Sequence, residues 1–243
     1  MMINRNQGKR KISGDYEVVT IKLGRLSGNC YLIRKDADYF LIDTGLKSKR
    51  NRLLKIITGN GCNPGNLKLI ILTHGDFDHS GNGAFLKKMF GCPIAIHFED
   101  SQMIECRDMF INRKSGNRFL KMLIKLVFTI QKFSIDVLFK DNDRLEEFGL
   151  NAGIVHLPGH SSGSIGVLTS QGDLFCGDLL TNIKKPMLNA IMDQPDIAKQ
   201  SMERLSKLEF KWIFPGHGNK FSYANYITIG KQDFIQTLKP GAT

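Results

Sequence analysis

Four of the six histidines in this 243-residue chain lie in short motifs, and each motif stands where an apolar run ends. Residues 67–72 lead into Thr73-His-Gly-Asp-Phe-Asp-His79 and 154–157 into Pro158-Gly-His160. Residues 174–176 lead into Gly177-Asp178, and 210–214 into Pro215-Gly-His217. Loops at strand ends converge on a rigid scaffold, which is where ligands of open α/β sheets gather. Neutral imidazole suits zinc, iron and nickel, while carboxylates add charge and can bridge two cations. His74, Asp76, Asp78 and His79 fall within six residues, a turn tight enough to serve two metal positions about 3.5–4 Å apart. Pro-Gly before His160 and His217 is expected to turn the backbone sharply and face each imidazole toward a cavity. A lone H-x-D is weak, and Asp178 alone would suit a cap or turn; the ordered set carries the signal. His97 and His156 belong to no such motif and read as ordinary, partly buried, hydrogen-bonded histidines.

Apolar patterning supplies the elements that must hold these motifs. Val19, Ile21 and Leu23 share one face opposite Thr20 and Lys22, the alternation of a half-buried strand. Residues 29–33 and 39–42 follow across a polar turn at 34–38, which suggests an antiparallel meander. Residues 47–58 read helical until Gly59-Asn-Gly61 stops them. Residues 67–72 read as a buried strand, 84–90 as a short helix closed by Gly91, and 93–96 as another strand. From 100 to 133 the pattern is long and helical. Arg118, Lys121, Lys125 and Lys132 make a polar stripe on an apolar helix that includes Phe119, Leu123 and Phe128. Such a helix suits a lid, a dimer contact or a membrane-surface anchor, or a core helix with snorkelling lysines. Strand runs return at 154–157, 165–169, 174–176 and 210–214, with a helix near 197–208. This interleaving argues one mixed α/β domain over 1–243, with 1–13 flexible and 100–133 a helical lid or interface insertion.

Composition excludes several classes. Hydrophobic residues at 42% and charged residues at 23% are unlike a disordered, collagen-like or disulfide-scaffold protein. No run approaches the ~20 apolar residues of a membrane span, and no signal-peptide pattern opens the chain. Five scattered cysteines, never C-x-x-C, read as reduced thiols of a soluble cytoplasmic protein. The net charge of +11 is concentrated: residues 1–60 carry 13 basic and 5 acidic side chains, and 107–132 carry 7 and 1. Without a nucleic-acid-binding motif this reads as a solvated lysine-rich surface, so nucleic acid is not the favoured partner.

His74-x-Asp76-x-Asp78-His79, followed in order by His160, Asp178 and His217, resembles the metallo-β-lactamase superfamily. Asn29 in a strand, Asp43-Thr-Gly45, Pro158-Gly-His-Ser-Ser-Gly-Ser164, Cys176-Gly-Asp178 and Pro215-Gly-His-Gly218 extend the match over about 17–220. The resemblance implies a four-layer αββα sandwich with a dinuclear metal site at one edge. It assigns His74, Asp76 and His160 to one divalent ion and Asp78, His79 and His217 to the other, with Asp178 bridging. A metal-bridging hydroxide, oriented by the catalytic Asp78, would attack a carbonyl carbon or phosphorus. Asp43 would hydrogen-bond a ligand or its loop. In the usual H-x-H-x-D-H motif a histidine stands where this chain has Asp76. A carboxylate there implies a harder, more anionic first site, opening iron or manganese beside zinc. The flavodiiron members carry a glutamate at that place, but also a flavodoxin-like domain for which this chain is too short. Asp178 argues against the β-lactamases with a bridging-position cysteine, and the Pro-Gly-His and Cys-Gly-Asp motifs look most like the glyoxalase II group. The implied activity is hydrolysis of a small-molecule ester, thioester or lactone. The alternatives are a phosphodiesterase or nuclease without the β-CASP domain, a di-iron redox module, or a metal-binding protein without turnover. A homodimer through 100–133 is a further expectation.

Overall fold

In the strands within residues 17–42 successive side chains point to opposite faces, and both faces are largely buried. The computed structural model describes residues 9–11, 16–111, 113, 118–127 and 131–224. One sheet runs, in spatial order, β1 (Lys9–Lys11), β2 (Glu17–Ile21), β3 (Cys30–Lys35), β4 (Asp38–Ile42), β5 (Leu67–Ile71), β6 (Ile94–His97) and β7 (Val137–Phe139). The first four are antiparallel, and β4 to β7 pair parallel. Parallel neighbours need crossovers, supplied by α1 (Arg50–Gly59), α2 (Phe77–Ser80) and α3 (Gly83–Phe90), and then by α4 (Ser101–Glu105) and α5 (Arg118–Val127). The second sheet contains β8 (Ala152–His156), β9 (Ile165–Thr169), β10 (Asp173–Asn182), β11 (Met187–Leu188), β12 (Trp212–Gly218) and β13 (Phe221–Ser222). Its order is β13-β12-β10-β9-β8, with β11 on β10. The helix α6 (Pro195–Leu205) carries the parallel crossover from β10 to β12.

Alternate residues face different cores. Cys30 and Leu32 pack toward α1 and α3 with Leu53, Ile57 and Leu86. Tyr31 and Ile33 pack between the sheets with Phe40, Ile165, Phe175 and Phe214. On the other side Leu174, Cys176 and Ile213 meet Ala198, Met202 and Leu205 of α6. Three apolar contacts between four layers make the αββα sandwich that the motifs implied. Phe175 and Phe214 are stacked at 4.7 Å under Tyr31; truncating such a buried ring to alanine costs about 3–5 kcal/mol.

Four expectations change. The long helix over 100–133 is interrupted: α4 ends at Glu105 with Cys106 as its C-cap, Arg107 takes a left-handed φ of 55°, and Asp108 caps the Phe110 amide. A side chain bearing a Cβ rarely continues a helix from that conformation. On α5, Phe119, Met122 and Leu123 are exposed, so a core role is excluded for that face. Of the expected flexible 1–13, Lys9–Lys11 pairs with β2, and the rest lies outside the described residues. Finally, β10 and β12 run past the ends of their apolar runs, so Asp178 and His217 lie within strands instead of after them.

Candidate metal centre

The site is assembled at one edge of the two sheets. At the end of β4, Asp43 adopts φ 58°, a left-handed conformation that Asp tolerates better than most residues. Its carboxylate accepts from Thr73 N and Thr73 Oγ1, both at 2.8 Å, which pins the start of the first motif. Asp76 is extended, and the single turn of α2 then presents Asp78 and His79. In the second sheet the β10–β12 register shifts around Gly177, whose φ is 52°. Such a bulge re-aims the following side chain, here Asp178. Gly216 serves packing more than turning: a Cβ there would overlap Asp178 Oδ1 and crowd His79. That revises the expected role of the second Pro-Gly.

All seven implied ligands converge. His74, His160 and Asp178 each bring one donor atom within 4.8 Å of the others, and so do Asp78, His79 and His217. Asp76 Oδ2 lies 3.1 Å from His160 Nε2 and 3.7 Å from His74 Nε2. In the second group His79 Nε2 and His217 Nε2 are 3.4 Å apart, with Asp78 Oδ2 at 3.6 and 3.2 Å from them. Asp178 spans both groups, 3.3 Å from His79 Nε2, 3.4 Å from His217 Nε2 and 3.9 Å from His160 Nε2. Donors bonded to a tetrahedral cation at about 2.0–2.2 Å are spaced about 3.3 Å apart.

Hydrogen bonds set the tautomers. Thr73 Oγ1 gives its proton to Asp43, so it accepts from His74 Nδ1 at 3.0 Å. His79 Nδ1 donates to Asp43 at 2.8 Å and His160 Nδ1 to the Ile191 carbonyl at 2.6 Å. Each outer nitrogen is held, so each Nε2 lone pair faces inward, the arrangement of metal-ligating histidines. Burial and neighbouring His79 hold His74 neutral, well below the usual imidazole value. Burial opposes charge on His79 and His217, but Asp178 and Asp78 outweigh it and raise both, His217 to about 9. Burial would raise the Asp178 carboxyl, yet His79 and His217 hold it well below the carboxylate range.

Two buried atoms test the fit of a cation. His74 Nε2 and Asp178 Oδ1 have no hydrogen-bond partner. An unpaired buried polar atom costs about 1–3 kcal/mol, more when charged. Both point among the converging donors, so the residue set fits divalent metal ions.

Sequence reasoning missed several supporting groups. Buried Asp100 accepts from Gly75 N, Ser161 Oγ and Gly163 N at 3.1, 2.7 and 2.8 Å, tying the first motif to the Pro-Gly-His loop. Asn189 Nδ2 donates to Asp178 Oδ2 at 3.2 Å. Arg113 Nη2 donates to Asp76 Oδ1 at 2.5 Å. None has a local signature, because each acts across the fold. His97 and His156 do meet: their rings stack at 4.1 Å and 14°, and Glu99 brings a third donor atom within 4.8 Å. Both are hydrogen-bonded, His156 Nε2 to Ser162 O at 2.8 Å and His97 Nδ1 to Glu99 N at 3.4 Å.

Two clefts meet beside His217 and Ile183. One, about 770 Å³, is lined by Lys22, Arg25 and Leu26; the other, about 420 Å³, by Lys184, Lys185, Met187 and Ile191.

A four-layer αββα sandwich with histidines and carboxylates converging at its edge is a metallohydrolase architecture. The sequence matches the Metallo-beta-lactamase superfamily over residues 23–217, and the chain belongs to that superfamily of metal-dependent hydrolases. An uncharacterized protein of Mycobacterium leprae is 29% identical over 203 residues, covering 81% of this chain and 88% of its own. Hydroxyacylglutathione hydrolase GloC of Haemophilus influenzae is 32% identical over 155 residues, 63% of this chain and 66% of that protein. Among solved structures, TTHA1623 in a di-iron-bound form superposes with a TM-score of 0.67 at 26% identity, covering 86% of this chain and 96% of that one. The B3 metallo-beta-lactamase BLEG-1 shares the fold with a TM-score of 0.68 at 20% identity, covering 86% and 95%.

Proposed function

We propose that this chain is a cytoplasmic, dinuclear metallohydrolase acting on a small thioester, ester or lactone. The observation that carries the reading is the pair of buried atoms without a hydrogen bond, His74 Nε2 and Asp178 Oδ1, among converging donors. His74, Asp76 and His160 would hold one divalent ion, Asp78, His79 and His217 the other, and Asp178 would serve both. When bound, two such ions supply a hydroxide nucleophile near neutral pH and polarise the electrophile. Asp78 is the catalytic carboxylate. Its Oδ2 lies 3.2 Å from His217 Nε2, and His217 lines both clefts, so Asp78 is placed beside their junction to orient the attacking water. Asp43 and Asn189 keep His79 and Asp178 aimed. Leu26, Ile183 and Ile191, each about 70% exposed, supply apolar contact. Lys22, Arg25, Lys184 and Lys185 draw an acidic group on the substrate. The likeness to hydroxyacylglutathione hydrolase GloC supports the thioester class.

The test is a panel of thioesters, esters, lactones and phosphodiesters offered to metal-loaded protein. Turnover of phosphodiesters alone, falling steeply with salt, would replace the reading with the nuclease one that the basic cleft rims favour. The di-iron-bound form of TTHA1623 keeps iron, and with it a di-iron redox module, as the second alternative; visible absorbance with oxygen or nitric oxide consumption would establish it. Zinc is the proposed metal, with iron or manganese as the other outcomes of elemental analysis. The exposed Phe119, Met122 and Leu123 of α5 support a lid or a self-contact between two copies, which deleting 118–127 tests through substrate range and oligomeric state.

A further inference from the structure

By the resemblance, Asp76 stands where the superfamily motif has a histidine, and a carboxylate differs from an imidazole in two ways. It offers two ligand oxygens in place of one nitrogen, and it carries a negative charge where the ring is neutral. Arg113 cancels both differences. Its Nη2 takes Asp76 Oδ1 at 2.5 Å, leaving Oδ2 facing His160 Nε2 at 3.1 Å and His74 Nε2 at 3.7 Å. The pair is enclosed, with side-chain exposures of 7% for Arg113 and 9% for Asp76. A guanidinium does not lose its proton in proteins, so beside the Asp76 carboxylate it makes a pair without net charge. Arg113 comes from the connector between α4 and α5, 37 residues after Asp76. Its Nε also donates to the Met109 carbonyl at 3.2 Å, which holds the fork in place.

We propose that Asp76 and Arg113 act together as the equivalent of the missing histidine, a neutral donor with one oxygen available to the first metal ion. Arg113 is then a positioning residue that sets the metal preference of the first site, keeping it from becoming the harder, more anionic site that Asp76 alone would make. The inference rests on the dinuclear reading above. It also predicts that Asp76→His alone weakens the site. Arg113 Nη2 lies 3.4 Å from His160 Nε2, so without its carboxylate a buried positive charge would face the cation.

A four-protein comparison tests this through metal binding, independent of turnover. Wild type, Arg113→Met, Asp76→His and the double variant are stripped with chelator and reloaded with zinc or manganese. Metal per chain is then counted by elemental analysis, and affinity is measured by competition with a chromogenic chelator. Asp76→His is expected to lose zinc affinity at one site by about 10–100-fold, the range for losing a group that supports a ligand. The double variant recovers most of that loss. Arg113→Met moves the first site toward manganese by about tenfold or more. Retained binding at the Asp78, His79 and His217 site reports that each variant is folded. The proposal is overturned if Asp76→His binds two zinc ions as tightly as wild type, if the double variant is no better than Asp76→His, or if Arg113→Met keeps its selectivity. Wild type that takes up only one metal ion, or none, would overturn the dinuclear reading and this inference with it.

Discussion

Two groups of histidines at the same end of the sandwich have opposite characters. His74, His79, His160 and His217 are surrounded by carboxylates, and three of them have their outer nitrogen held by a hydrogen-bond acceptor. His97 and His156 lie face to face, and His156 spends its Nε2 proton on a backbone carbonyl. Parallel rings 4.1 Å apart aim their lone pairs alongside each other instead of at one point. Charge differs as well. Asp178 and Asp78 raise His217 to about 9, whereas burial and then His156 lower His97 to about 4. Closeness of imidazoles therefore does not define a metal site; the donors behind and between them do.

The strongest way to break this contrast is to exchange the outcomes of mutation. Asp78→Ala should reduce hydrolysis to background and remove much of the bound metal, read by elemental analysis and substrate turnover. His97→Ala should leave both unchanged in the folded protein. A reversal would transfer the site to the stacked pair. Next in size is Asp43→Asn, which weakens the acceptor behind His79 and should cost about 10–100-fold in metal affinity, measured by chelator competition. An unchanged affinity would mean that His79 is aimed by packing alone.

The stacked pair has its own signature in acid. The folded value of His97, about 4, lies below its ordinary 6.5, so the unfolded chain takes up the proton first. Stability is then lost as pH falls from about 6.5 toward 4, by on the order of 2–3 kcal/mol from this group. Urea unfolding at pH 7 and pH 4.5 should show a smaller pH difference for His97→Gln than for wild type. Equal slopes would mean that the pair is not buried as a neutral stack. The smallest effect expected is at Asn189→Ala, which removes one hydrogen bond to the charged Asp178 carboxylate and should cost about 1.5 kcal/mol of stability in urea unfolding at pH 7.

Legibility followed the range over which each feature is encoded. The meander β2–β3–β4, the buried strand β5 and the helices α1, α3 and α6 were readable because alternation and helical spacing are local patterns. The 100–133 segment misled because its composition is helical throughout, while the break depends on Arg107 turning left-handed against the rest of the fold. The Pro-Gly motifs were recognised as special, yet Gly216 is small for the sake of Asp178 and His79, which approach it from other elements.

The amino-acid sequence determined the layers and the inventory of donors. Residue type and order set which strands bury two faces, and they place histidines and aspartates just after apolar runs in a family-specific order. Tertiary structure alone decided how those donors act. Asp100 joins two loops, Asp43 aims His79 and Arg113 neutralises Asp76 over separations of 25 to 63 residues. A hydrogen bond needs its partners within about 3 Å and aligned, and no spacing along the chain specifies that distance until the sheets have packed.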